Sequence, residues 1–221
     1  MTAFAGFDRS DYPGRAVMDW LKANTNLRIC GFYLGPAPSH PNTSWMDAPD
    51  EDFDGWGFLP IYVGEQVTGP GARNVTGAQG AIDGADACKL MAAAGWGVGG
   101  RVYLDIENGP PLWTAQREYI GAWADAVTAA GYKPGIYCSF LMAAQIKALR
   151  PDVSIWVFHV PTVQPHAVAG STFPAPDPST SGFGSADAWQ YADEARIACA
   201  AAPGGVLEVD LNTANSADPS A

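Results

Sequence analysis

The chain reads as an α/β protein, a closed β/α barrel of modified TIM type whose last third has lost its helices. Three observations point there. Eight short β-prone runs recur along 221 residues, helix-like segments separate the early runs but not the last ones, and that alternation makes a parallel sheet. No internal repeat or linker divides the sequence. Residues 1–221 therefore read as one domain, long enough for a barrel of about 200 residues or more.

Phe4 to Asp8 is the first predicted strand, followed by the turn Tyr12-Pro13-Gly14 and an amphipathic helix reaching about Asn24. Ile29 to Gly35 and Phe58 to Gly64 give strands two and three. The spacing predicts a helix over Gly77–Ala94, weakened in its first turn by glycines. Val102 to Glu107 is strand four. Trp113 to Ala130 has apolar residues at helical spacing and stops at Gly131. Gly135–Ser139 is strand five, Leu141–Leu149 a short helix and Ser154–Val160 strand six. Residues 161–187, rich in Pro, Ser and Gly, read as a long surface loop without a helix. Ala188–Ala192 and Val206–Asn212, with Ala-Ala-Pro-Gly-Gly before the second, supply the last two strands.

Composition narrows the function. Hydrophobic content of 48% with 11% aromatics describes a globular protein, and no apolar run approaches the ~20 residues that span a bilayer. A formal net charge of −11 argues against nucleic acid and against an electrostatic membrane role, since nothing would neutralise rows of phosphates. The N-terminus shows no basic segment followed by an apolar one, so no signal peptide is visible. Cys30, Cys88, Cys138 and Cys199 have no metal-ligand spacing and read by default as buried free thiols, with one disulfide left open by the spacing. No cofactor or metal is called for, and a monomer is expected.

The stretch Arg-Val-Tyr-Leu-Asp-Ile-Glu, residues 101–107, carries the chemistry. Asp105 and Glu107 are spaced i and i+2 on a strand, so both project from one face with Cα atoms roughly 6.5 Å apart. Close carboxyl pairs raise each other's pKa, which suits acid/base work. In β/α barrels the active site lies at the C-terminal strand ends. Those ends carry Asp8, Tyr33, Tyr62 with Glu65, Asp105 with Glu107, Tyr137, Trp189-Gln190-Tyr191, and Asp210 with Asn212. Acids, amides and several aromatic rings on one rim suit a carbohydrate, whose C–H faces stack and whose hydroxyls take hydrogen bonds.

Gly-Phe-Asp-Arg-Ser, Tyr-Leu-Asp-Ile-Glu, Gly-Ile-Tyr-Cys-Ser, Trp-Gln-Tyr and Val-Asp-Leu-Asn stand in this order from Gly6 to Asn212. In this the chain resembles family 25 glycoside hydrolases, lysozyme-type muramidases with five β/α units followed by three strands. It is more similar still to a glycoside-hydrolase-like domain of unknown function, number 1906, in which Tyr-Pro-Gly, Pro-Ile-Tyr-Val-Gly and Tyr-Leu-Asp-Ile-Glu are typical. The resemblance implies five β/α units followed by three strands lacking helices, and cleavage of β-1,4 bonds in peptidoglycan or a similar N-acetylhexosamine polymer. It implies Glu107 as general acid, with Asp105 raising its pKa and either stabilising positive charge or orienting an N-acetyl group. Asp8 and Asp210 position substrate and shape the field. Tyr33, Tyr62, Tyr137 and Gln190 become substrate hydrogen-bond partners, and Trp189 a stacking platform.

Retaining, inverting and substrate-assisted routes all stay open at this point, because i and i+2 neighbours can sit at either carboxyl separation. So do two other readings: a hydrolase-like module that binds cell-wall glycan without cutting it, and an enzyme on small sugars with a closed pocket. Action on peptidoglycan would place the protein outside the cell or in the periplasm, by a non-classical export route, phage lysis or a secretion system. The segment after Asp8 and the acidic insertion before strand three depart from the muramidases.

Weaker signals resolve locally. Residues 50–55, Asp-Glu-Asp-Phe-Asp-Gly, match half a calcium loop, but Ile61 stands where the closing glutamate belongs. Gly95 to Gly100 precedes a strand and so reads as a turn, not a dinucleotide loop. Cys138 and His159 could form a thiol–base pair only if Cys138 faced inward, which Tyr137 beside it forbids. His40, His159 and His166 lack zinc spacing.

Overall fold

The computed structural model describes residues 2–67, 74–160 and 172–221. Eight strands close a barrel in the order β1 to β8: Phe4–Asp8, Ile29–Tyr33, Gly57–Tyr62, Arg101–Ile106, Lys133–Ser139, Ser154–Phe158, Ala188–Ala198 and Val206–Ala214. Strands β1 to β7 run parallel, and β8 closes the ring antiparallel to both β7 and β1. The helices are α1 (Arg15–Asn24), α2 (Gly77–Ala93), α3 (Thr114–Ala129) and α4 (Phe140–Leu149). Four helices stand where five β/α units were expected, because a loop with one 3-10 turn at Asp50–Phe53 joins β2 to β3. Residues 161–171 of the expected 161–187 loop lie outside the described residues, His166 among them, and the described remainder carries one 3-10 turn at Pro178–Thr180. No helix among the described residues is long and apolar enough to cross a membrane.

Two apolar layers hold the barrel. Ile29, Leu59, Ile61, Tyr103 and Trp156 fill its interior. A larger layer between strands and helices buries Phe7, Cys30, Leu104, Ile136 and Val157 against Met18, Leu21, Ile120 and Trp123. Both strand faces are thus covered, which is why the β runs read as continuous apolar stretches. The glycines of α2 have a packing reason: a Cβ on Gly80 or Gly84 would lie 2.3 Å from the Tyr119 carbonyl oxygen or 2.6 Å from that of Trp123. They let α2 sit directly on the α3 backbone.

All four cysteines are buried and unpaired, and burial pushes the thiols of Cys30, Cys88 and Cys138 above their ordinary range. Cys138 faces the helix layer, while His159 stacks on Phe140 at 3.8 Å and contacts the Ser181 carbonyl. Two acids of residues 50–54 are engaged in fold contacts: Asp52 accepts a 2.6 Å bond from the Tyr12 hydroxyl and, with Glu51, pairs with Arg15.

Candidate active site

The C-terminal strand ends bring Asp8, Tyr33, Asp105, Glu107, Tyr137, Gln190 and Asp210 to one mouth, because each occupies an inward position on its strand. Asp8 and Asp210 are paired across the antiparallel β1–β8 junction. Gly31 of β2 makes room there, since a Cβ on it would lie 2.4 Å from the Asp8 Cβ.

Asp8 is 3% exposed and fully engaged. The Tyr33 hydroxyl donates to Oδ1 at 2.8 Å and the Asn212 amide donates to Oδ2 at 2.7 Å. Trp156 fixes that amide: its indole N–H can only donate, and it gives to Asn212 Oδ1 at 3.1 Å, so the amide NH₂ must face Asp8. Burial still outweighs both bonds and lifts the Asp8 carboxyl to about 6. Asp210 takes the Gln190 amide at 2.7 Å on Oδ2 and the Glu194 backbone N–H at 2.7 Å on Oδ1. Its carboxyl is pushed up to about 8, first by burial and then by the charge of Asp8. The Glu194 N–H reaches Asp210 because β7 bulges between Gln190 and Ala195, where Glu194 adopts φ 48°. Gln190 also accepts from the Tyr137 hydroxyl, and the Tyr137 ring packs edge-on to Trp156 at 4.6 Å.

The β4 pair is different. Asp105 is 4% exposed, yet its Oδ1 has no hydrogen-bond partner. Burial, then the charges of Glu107 and Asp8, hold its carboxyl well above the usual carboxylate range. Glu107, one step further along the strand face, is exposed in a recess with Tyr137, Phe158 and Gln190. The acid that burial displaces is Asp105. Gln66, just past β3, staples this strand end by donating to the Asp105 carbonyl at 2.9 Å and accepting from the Glu107 N–H at 3.4 Å.

Two expected site residues point elsewhere. Tyr62 is fully buried in the strand–helix layer, and its hydroxyl donates to Asp86 of α2 at 3.3 Å. Its neighbour Ile61 has the inward position. Trp189 is 8% exposed and gives its indole N–H to the His159 carbonyl at 2.7 Å, so its face is covered and Gln190 takes the inward place. At Glu65 the backbone N–H donates to the Tyr119 hydroxyl of α3 at 2.9 Å. Asn212, Trp156 and Gln66 support the site without having been assigned roles. For Asn212 the i and i+2 spacing with Asp210 was a usable signal, whereas Trp156 and Gln66 carried none.

Beside the acids the surface holds two recesses. A polar recess of about 350 Å³ includes Asp8, Asp11, Tyr33, Glu194 and Asp210. The shallower recess at Glu107 adjoins it through the Gln190–Asp210 bond. Among the described residues no acid, histidine or cysteine cluster could hold a metal ion. The arrangement offers one exposed carboxyl, one buried carboxyl with a free oxygen, and a ring of donors and acceptors for hydroxyls.

Comparison with known proteins places this geometry. The model of the Rv2525c-like, glycoside hydrolase-like domain matches residues 19–210. An uncharacterized protein of B. stearothermophilus shares the fold with TM-score 0.67 at 17% identity, covering 96% of each chain. The Tat-secreted protein Rv2525c of Mycobacterium tuberculosis, solved with L-tartrate, gives TM-score 0.63 at 16% identity, again over 96% of each chain. The modular autolysin LytC of Streptococcus pneumoniae gives 0.61 at 14% identity, over 96% of this chain and 46% of that one. At these identities the likeness is one of fold. No curated protein matches the chain in sequence.

Proposed function

This chain belongs to the Rv2525c-like, glycoside hydrolase-like domain family, and from that premise we propose that it is a lysozyme-type glycoside hydrolase. Its substrate is the glycan of peptidoglycan or a similar N-acetylhexosamine polymer, cut at β-1,4 bonds. The observation that carries the reading is the free oxygen of buried Asp105 beside exposed Glu107. Taken together as one groove, the two recesses favour a polymer over a small sugar. The pneumococcal autolysin of the same fold has been solved with a synthetic peptidoglycan ligand, and Rv2525c is Tat-secreted; both support action on a wall outside the cytoplasm.

The free oxygen favours the substrate-assisted route. Glu107 gives its proton to the leaving glycosidic oxygen as the C1–O bond breaks. The acetamide oxygen of the same sugar bonds to C1, and the amide proton passes to the Asp105 carboxylate, leaving a neutral oxazoline. Asp105 takes that proton in its ionised form, and its raised pKa then makes it a stronger base. Water then adds to C1, losing its proton to Glu107, while Asp105 returns its own to nitrogen. Two inversions at C1 give net retention. Asp8, Asp210, Tyr137 and Gln190 hold hydroxyls and stabilise the charge that develops at C1.

Digestion of purified peptidoglycan by wild type and by Glu107→Gln, read by mass spectrometry, tests the proposal. Reducing-end muropeptides from wild type and a loss on the order of 10²–10⁴-fold in the variant are expected. If neither protein releases fragments while both co-sediment with the wall, the site binds glycan without cutting it. If neither cuts nor binds, peptidoglycan is the wrong polymer.

A further inference from the structure

Away from the acids, the outer wall of the barrel is open where no helix joins β2 to β3. A pocket of about 260 Å³ lies there, lined by Phe32 and Phe58 from β2 and β3, Phe53 of the 3-10 turn, and Trp96 beyond α2. The rings meet edge to face: Phe32 and Trp96 centroids are 4.8 Å apart, Phe58 and Trp96 5.3 Å, Phe53 and Phe58 6.0 Å. Phe53, Phe58 and Trp96 are only half-buried, so aromatic surface remains open to a guest.

Two negative features share this pocket. The Asp50 carboxylate lines it with no hydrogen bond or ion pair among the described residues, whereas nearby Arg15 is engaged by Glu51 and Asp52. The helix α2 ends against the pocket, where Ala93, Ala94 and Gly95 line it, and its last turn carries no basic residue. A helix C-terminus bears partial negative charge. Aromatic rings, a free carboxylate and a helix C-terminus together favour a guest that is positively charged but has an apolar skin. A small hydrated metal ion would gain nothing from the rings, and a neutral apolar guest nothing from the charges.

We propose that this pocket binds a quaternary or methylated ammonium group. It is separate from the acid groove and does not rest on the hydrolase reading. Trp45 lines the pocket and gives its indole N–H to the carbonyl of Arg9 at 2.9 Å, the residue after Asp8, so a guest here sits one side chain from the rim of the groove.

The test is calorimetric titration with choline and with its uncharged carbon isostere, 3,3-dimethylbutan-1-ol, alongside indole N–H resonances to locate the guest. Saturable choline binding is expected, with shifts centred on Trp96 and Trp45, and roughly tenfold weaker binding of the isostere. Asp50→Asn, a change at an exposed side chain, should weaken choline several-fold with the melting temperature unchanged. Trp96→Leu should abolish binding. Equal affinity for the isostere, shifts confined to other indoles, or no saturable choline binding would each overturn the proposal.

Discussion

The two acid pairs at the mouth of the barrel are built on opposite plans. Asp8 and Asp210 come from different strands, and every oxygen they carry has a donor: Tyr33, Asn212, Gln190 and the Glu194 backbone. Asp105 and Glu107 come from one strand; one is exposed and the other keeps a buried oxygen without a partner. A buried polar group left unmatched costs roughly 1–3 kcal/mol, and at the mouth of the barrel a ligand can supply the match. The satisfied pair frames the groove, and the unsatisfied pair awaits the reacting sugar.

The largest effect that could break this contrast is a pair of alanine variants read for both rate and stability. Asp105→Ala should lower fragment release on the order of 10²–10⁴-fold, while its melting temperature holds or rises, because a partnerless buried carboxyl is gone. Asp8→Ala strands the Tyr33 hydroxyl and the Asn212 amide, and should cost about 2–4 kcal/mol in denaturant unfolding. If Asp105→Ala is the less stable of the two, the contrast fails.

A smaller effect lies in pH. The carboxyls of Asp8 and Asp210 are raised from 3.8 to about 6 and about 8, so between pH 4 and 8 the native state holds protons that the unfolded chain has released. Stability must then fall as pH rises through that window, on the order of a few kcal/mol. Asp210→Asn should flatten the upper part of the slope, as chemical denaturation at pH 5 and pH 8 would reveal. An unchanged slope would show that the pair ionises as freely as exposed acids. The smallest expected change is Tyr62→Phe: release within twofold of wild type and at most about 1 kcal/mol of stability, since its hydroxyl serves only Asp86. A large loss of release would return Tyr62 to the site.

Much of this was legible from strand ends. The acids, Tyr33, Tyr137 and Gln190 converge because residues at the C-terminal ends of parallel strands must share one rim. Face assignment was harder. In Gly-Phe-Leu-Pro-Ile-Tyr of β3 both faces are buried, so no alternation distinguishes Ile61, which points in, from Tyr62, which points out. In Trp-Gln-Tyr of β7 alternation is present but inverted, the amide taking the inward place because Tyr137 and Asp210 await it there. The bulge that presents the Glu194 N–H is set by β7–β8 register, a long-range property without a local signature. Spacing puts two acids on one face, but depth in the barrel decides which loses water, and here that acid is Asp105.

Antiparallel closure by β8 pairs Phe4 with Ala214, so the first and last strands begin and finish together at the floor, opposite the acids. Asp218 and Ser220 then tie onto that floor through the N–H groups of Phe58 and Arg101. A handle attached at the N-terminal side of β1 would therefore orient the molecule on a bead or sensor chip with its groove outward, free to meet a particulate wall. The same handle at Ala221 would tug on the floor itself, and immobilised formats should show the difference.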